Sequence, residues 1–161
     1  VTTDPGGPAL PTSVNFITST FANPAYVPWW GFDTQTGTGN TDIFSVSGST
    51  LTVSQAGVYQ ISANVTFVNT GANRAMAGCC LKSGNTMMDE TIQYAYTRGT
   101  GYGVRGSLSP SITMFIAANG TIQVALWKES ADQTSALNTE ISSLTVVRLG
   151  DDVLETTSPG Q

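Results

Sequence analysis

A chain of 161 residues is one domain's worth, long enough to bury most of its unfolded surface around a core of its own. Only 11% of it is charged, against about 25% in ordinary globular proteins, and Ser, Thr, Asn and Gln fill the polar quota, as they do on many all-β, virion and extracellular proteins. The net charge is −5 and the six basic residues (Arg74, Lys82, Arg98, Arg105, Lys128, Arg148) are scattered, so no basic stripe faces phosphates and nucleic acid is excluded as a partner.

The absence of histidine removes the commonest general base, the usual catalytic triads and most zinc sites. Asp33, Asp42, Asp89, Glu90, Asp132 and Glu140 lie in or near loops, without a glycosidase or metal spacing, and no calcium-loop or phosphate-loop pattern is present. The expectation is a non-enzyme with no catalytic residue, cofactor or metal. No apolar run reaches the ~20 residues of a membrane helix. The chain opens on Val1 without a charged-then-apolar leader, which reads as a soluble, processed or trimmed chain.

Residues 1–13, VTTDPGGPALPTS, lack periodicity and read as an N-terminal arm or linker. A first strand is expected over 14–18. The segment 21–32, FANPAYVPWWGF, packs five aromatics and two prolines into an irregular, partly buried stretch. Trp29 and Trp30 there either pack against the end of a sandwich or offer a ligand platform. Short strands follow over 43–46 and 50–54. From Val58 the chain alternates strictly: Tyr59, Ile61, Ala63, Val65 and Phe67 share one face, and Gln60, Ser62, Asn64 and Thr66 the other.

Residues 74–82 form a further strand, with Gly78 a candidate bulge. Cys79 and Cys80 would point to opposite faces of it, as free thiols serving as small hydrophobes. A longer, less regular strand is expected over 86–96. The glycine-rich loop 97–106 offers Arg98, Tyr102 and Arg105 as contact residues. Residues 108–117 alternate again, with Phe115 on the face opposite Ile112, Met114 and Ile116. Asn119-Gly120 then carries the strongest hairpin signal in the chain and leads into 122–127. Leu137 is the one apolar anchor in the polar loop 129–140, the last strand spans 141–149, and 151–161 is an acidic tail. Eight to ten strands without a helical stripe mean a sandwich, jelly roll or barrel spanning 14–150.

Four segments in order, GFDT (31–34), LTVSQAGVYQISANVTF (51–67), AANGTIQVALW (117–127) and SSLTVVRLG (142–150), resemble the globular head of the complement q subcomponent within the tumour necrosis factor-like superfamily. Gly120-Thr121 stands where that family usually has Gly-Asp. The resemblance implies a jelly-roll β-sandwich of about ten antiparallel strands assembling as a homotrimer. Tyr59, Phe67 and Phe115 are the candidate trimer contacts. Trp29, Trp30, Arg98, Tyr102 and Arg105 are the candidate loop contacts. The short, weakly charged head is similar to those of bacteriophage decoration and fibre proteins. That similarity implies a virion structural protein attached through residues 1–13 to a capsid, tail or other virion protein. The alternative is a secreted or cell-surface recognition module binding glycan or protein.

Overall fold

The computed structural model describes residues 2–3, 14–16, 18–29, 43–99, 104–129 and 137–151. They form a jelly-roll sandwich of two antiparallel sheets. The first sheet holds β1 (Thr2–Thr3), β12 (Leu137–Gly150), β5 (Gly57–Asn69) and β10 (Ser111–Ile116) in that order, with β9 (Arg105–Leu108) also on β5. The second runs β3 (Phe44–Ser47), β4 (Thr50–Val53), β11 (Gly120–Lys128), β6 (Ala75–Ser83) and β7 (Thr86–Met87). To it are added β2 (Ala25–Tyr26) on β11 and β8 (Gln93–Thr97) on β6.

β5 is the axis of the first sheet, flanked along its length by β12 on one side and by β9 and β10 on the other. Ser109-Pro110 separates β9 from β10, because proline has no N–H to give the ladder. The Pro110 carbonyl still accepts from the Ala63 N–H at 2.9 Å, so the two pieces continue one path. The inward row Tyr59, Ile61, Ala63, Val65 and Phe67 meets Leu144 and Val146 of its own sheet and Leu51, Val53, Ala77, Leu81, Val124 and Leu126 of the other. Leu137, fully buried, opens β12 and pins the end of the polar loop before it.

Several expectations change. Among the described residues of the expected strand 14–18, no strand forms; Asn15 makes an isolated bridge to Asn138. The single strand expected over 86–96 is divided by a 3-10 turn at Asp89–Thr91 into β7 and β8. The Thr91 hydroxyl holds that turn, donating to the Met88 carbonyl at 2.7 Å and accepting from the Leu81 N–H at 2.9 Å. Gly78 is no bulge: the β6–β11 register runs without a shift from Ile122↔Ser83 to Lys128↔Ala77. The bulges lie in β12, between Thr139 and Ser142 and between Arg148 and Gly150.

Asn119-Gly120 makes the expected tight turn, with Asn119 at φ 64° and the Gly120 N–H donating to the Ala117 carbonyl at 3.0 Å. It is not a hairpin, because β10 belongs to the first sheet and β11 to the second. The turn after β4 likewise passes between sheets. True two-residue hairpins join β3 to β4 and β6 to β7, each with a positive-φ glycine (Gly48, Gly84) at the first central position, as a II′ turn requires.

Cys79 and Cys80 are free, with Cys79 in the core and Cys80 on the opposite face of β6. Burial pushes the Cys80 thiol up to about 11 and raises Cys79 as well, with Cys80 beside it adding to the rise. Unfolded thiols ionise near 8.5, so the protonated, buried thiols contribute their full stability below that pH. The contribution is lost as pH climbs toward the folded values, by up to about 1.4 kcal/mol per pH unit for each thiol. The folded protein should therefore leave both thiols unreactive to a thiol reagent at pH 8 and expose both on unfolding. Its urea midpoint should fall between pH 8.5 and 10 by more than that of a Cys79→Ala/Cys80→Ala variant. Equal slopes would refute the buried-thiol account.

Candidate functional site

The two outer faces of the sandwich differ in chemistry. On the first sheet, cross-strand partners share a face, so the outward rows follow from the register. They are Val58 with Phe115, Gln60 with Thr113 and Val147, Ser62 with Ser111 and Thr145, Asn64 with Ser143, and Thr66 with Ser107. None of these residues is charged. Phe115, Val147 and Leu149 are exposed large apolar side chains at one end of the face.

Charge is confined to the two ends. At one end the bulge after Thr139 inserts an extra residue, and Glu140 meets Arg105 across β5 with an Nε···Oε2 distance of 2.9 Å. Both side chains are substantially exposed, so solvent screens the pair and it adds little to stability. At the other end Arg148 donates to the Ala56 carbonyl at 2.8 Å and pairs with Asp151. Arg148 lies opposite Tyr59 in the β5–β12 register, and the Tyr59 hydroxyl donates to the Gln55 carbonyl at 2.7 Å. Burial raises the Tyr59 pKa, while the nearby guanidinium opposes the rise.

Of the trimer candidates, Tyr59 and Phe67 are fully buried inside the subunit, which takes both rings away from any interface. Tyr59 packs edge-on to Phe44 and Phe67 edge-on to Phe16. They lie on the inward row of β5, and period two leaves them no other course. Phe115 alone of the three reaches the surface. Among the loop candidates, Trp29 is a core residue whose backbone N–H donates to the Gly48 carbonyl at 2.8 Å. Arg98 and Arg105 are exposed. Trp30 and Tyr102 lie outside the described residues.

The outer face of the second sheet carries a feature that sequence reasoning missed. Here Cys80, Ala125 and Trp127 form a second buried cluster, against which Tyr26, Met87 and Ile92 pack. Trp127 lies over its cross-strand partner Gly78, where a Cβ would come within 2.2 Å of the indole Cε2. Phe21 and Tyr94 meet the indole edge-on, with ring centroids at 5.1 and 6.0 Å, and its Nε1 donates to the Glu129 carboxylate at 2.9 Å. Tyr96 follows Tyr94 on the same face of β8. These three outer rings are half open to solvent: Phe21 44%, Tyr94 49% and Tyr96 52%. Burial and the Glu129 charge both raise the Tyr94 pKa. Farther along the face, the Lys82 ammonium sits 4.8 Å over the Tyr26 ring and donates to its hydroxyl. The signals were the run Val124–Trp127, apolar on both faces of its strand, and two tyrosines two residues apart.

Among the described residues, no group of three His, Cys, Asp or Glu side chains is placed to hold a metal ion, and no helix is long and apolar enough to cross a membrane. No known family profile matches the sequence, and no curated protein matches it. Among solved structures, the chain is similar to murine APRIL, a tumour necrosis factor-family jelly roll, in its crystal structure at pH 8.5. The identity is 12% and the TM-score 0.48, over 77% of this chain and 85% of that one. The sandwich described above rests on its own strand order and register.

Proposed function

We propose that this chain is a non-enzymatic virion structural protein, a homotrimeric capsid-decoration or fibre head that associates through the outer face of its first sheet. The observation that carries the association is the uncharged face of β5, β10 and β12 with Phe115, Val147 and Leu149 exposed on it. Interface cores are depleted of charge and enriched in aromatics, and desolvating Ser and Thr costs far less than desolvating an ion. Polar rows inside such an interface would pair with one another or with trapped water. The virion assignment rests on the sequence resemblance and on the Pro- and Gly-rich arm at 1–13, of which Thr2–Thr3 pair with β12 beside this face.

Light scattering on the whole chain should return three times its monomer mass. Phe115→Glu combined with Val147→Lys should return a folded monomer, because six charges would be buried per assembly. A monomeric wild-type protein would sink the trimer. For the virion role, antibody against the chain should detect it in density-purified particles from the organism that encodes it, and particles lacking it would refute that role.

A further inference from the structure

We propose that Phe21 and Tyr94, which meet Trp127 edge-on, and Tyr96, two residues along β8 from Tyr94, form a binding platform for a neutral saccharide chain on the outer face of the second sheet. The proposal is independent of the trimer and virion reading, since it uses the opposite face of the sandwich. Three properties of the site define the ligand. The first is the shape of the apolar surface. Tyr94 and Tyr96 are two residues apart on one strand, about 6.6 Å along it, and Phe21, from the turn before β2, meets the same indole edge-on. Pyranose rings present C–H groups on their faces and hydroxyls around their edges, so successive rings of a chain pack on such aromatic side chains while their hydroxyls reach sideways.

The second is the polar surround. The Glu129 carboxylate is held beside the rings by the indole N–H, and one bond at 2.9 Å leaves acceptor capacity for ligand hydroxyls. The hydroxyls of the half-exposed Tyr94 and Tyr96 can donate to and accept from ligand hydroxyls. The third is size and charge. Three rings about half exposed offer roughly 300 Å² in all, well short of the ~800 Å² each partner gives to a stable protein interface but sufficient for a few sugar units. A carboxylate in the site and a net charge of −5 repel anionic polymers, and an uncharged saccharide meets the Glu129 carboxylate through its hydroxyls alone.

The platform is also pre-organised. Trp127 is fully buried between Gly78 and the outer rings, so the floor does not rearrange when a ligand arrives, and little ordering cost falls on binding. The probes are cello-, malto-, chito- and mannohexaose, with hexagalacturonate as the anionic control, titrated calorimetrically into the whole protein. At least one neutral hexaose should bind and hexagalacturonate should not. Tyr94→Ala/Tyr96→Ala should weaken that binding at least tenfold with unchanged solution mass and a near wild-type melting temperature. Glu129→Gln should weaken it less, since an amide still accepts a hydroxyl. No neutral binding at roughly 5 mM, where even a weak site would register, overturns the proposal. So does equal binding of hexagalacturonate, or binding that survives the double substitution. A double variant that changes solution mass would assign the face to a second copy, and one that loses core-like stability would assign the rings to internal packing; either result also overturns the platform.

Discussion

Phe67→Ala is expected to remove roughly 3–5 kcal/mol of stability, a fall in melting temperature on the order of 10 °C. The ring is fully buried, meets Phe16 edge-on at 6.1 Å, and lies over Gly106, its cross-strand partner on β9. A Cβ on Gly106 would come within 2.5 Å of the ring's Cζ, so the ring fills the space a side chain there would otherwise take. Alanine would leave a cavity walled on one side by bare backbone, which cannot collapse to fill it. Phe67→Leu, which keeps most of the volume, should cost less than about 1.5 kcal/mol. Both values come from urea denaturation at one fixed protein concentration, because any oligomer adds a concentration-dependent term. A Phe67→Ala loss below 1 kcal/mol would mean that the ring does not occupy the core.

The placement of Phe67 marks how far sequence reading reaches. Alternation along β5 correctly put Tyr59, Ile61, Ala63, Val65 and Phe67 on one face, and the Leu137 anchor and most strand positions were legible in the same way. Period two tells which residues share a face; it does not tell what covers that face. Hence Tyr59 and Phe67, as aromatics on a long strand, suited an interface as well as a core, and the structure gives them to the core. The Asn119-Gly120 turn fails for a related reason. Its chemistry requires a tight turn, and the turn is present, but nothing local decides whether the flanking strands pair with each other or enter different sheets. The aromatic platform was hidden because Phe21, Tyr94, Trp127 and Glu129 come from three separate stretches: the β6–β8 and β6–β11 registers bring Tyr94 to Trp127, and Phe21 joins them by its ring contact with the indole.

Gly78 shows the same limit from the other side, and it carries the second large prediction. A glycine inside a strand suggested a bulge, yet its register partner Trp127 explains it without one: the indole lies where a Cβ would be. Phe67 over Gly106 in the core and Trp127 over Gly78 on the outer face are one device used twice, an aromatic ring packed on the bare backbone of its cross-strand neighbour. Gly78→Ala should therefore cost about 3 kcal/mol, although alanine suits a strand better than glycine does. Overpacking of about 1–3 kcal/mol adds to the loss of the indole bond to the Glu129 carboxylate, itself about 1.5–3 kcal/mol, with partial relaxation between them. A double-mutant cycle separates this clash from any other effect of the substitution. In a Trp127→Leu background, where no indole overlies the position, Gly78→Ala should cost less than about 0.5 kcal/mol. A cost that stays the same in both backgrounds would show that Gly78 is required by the strand itself and not by the ring it supports.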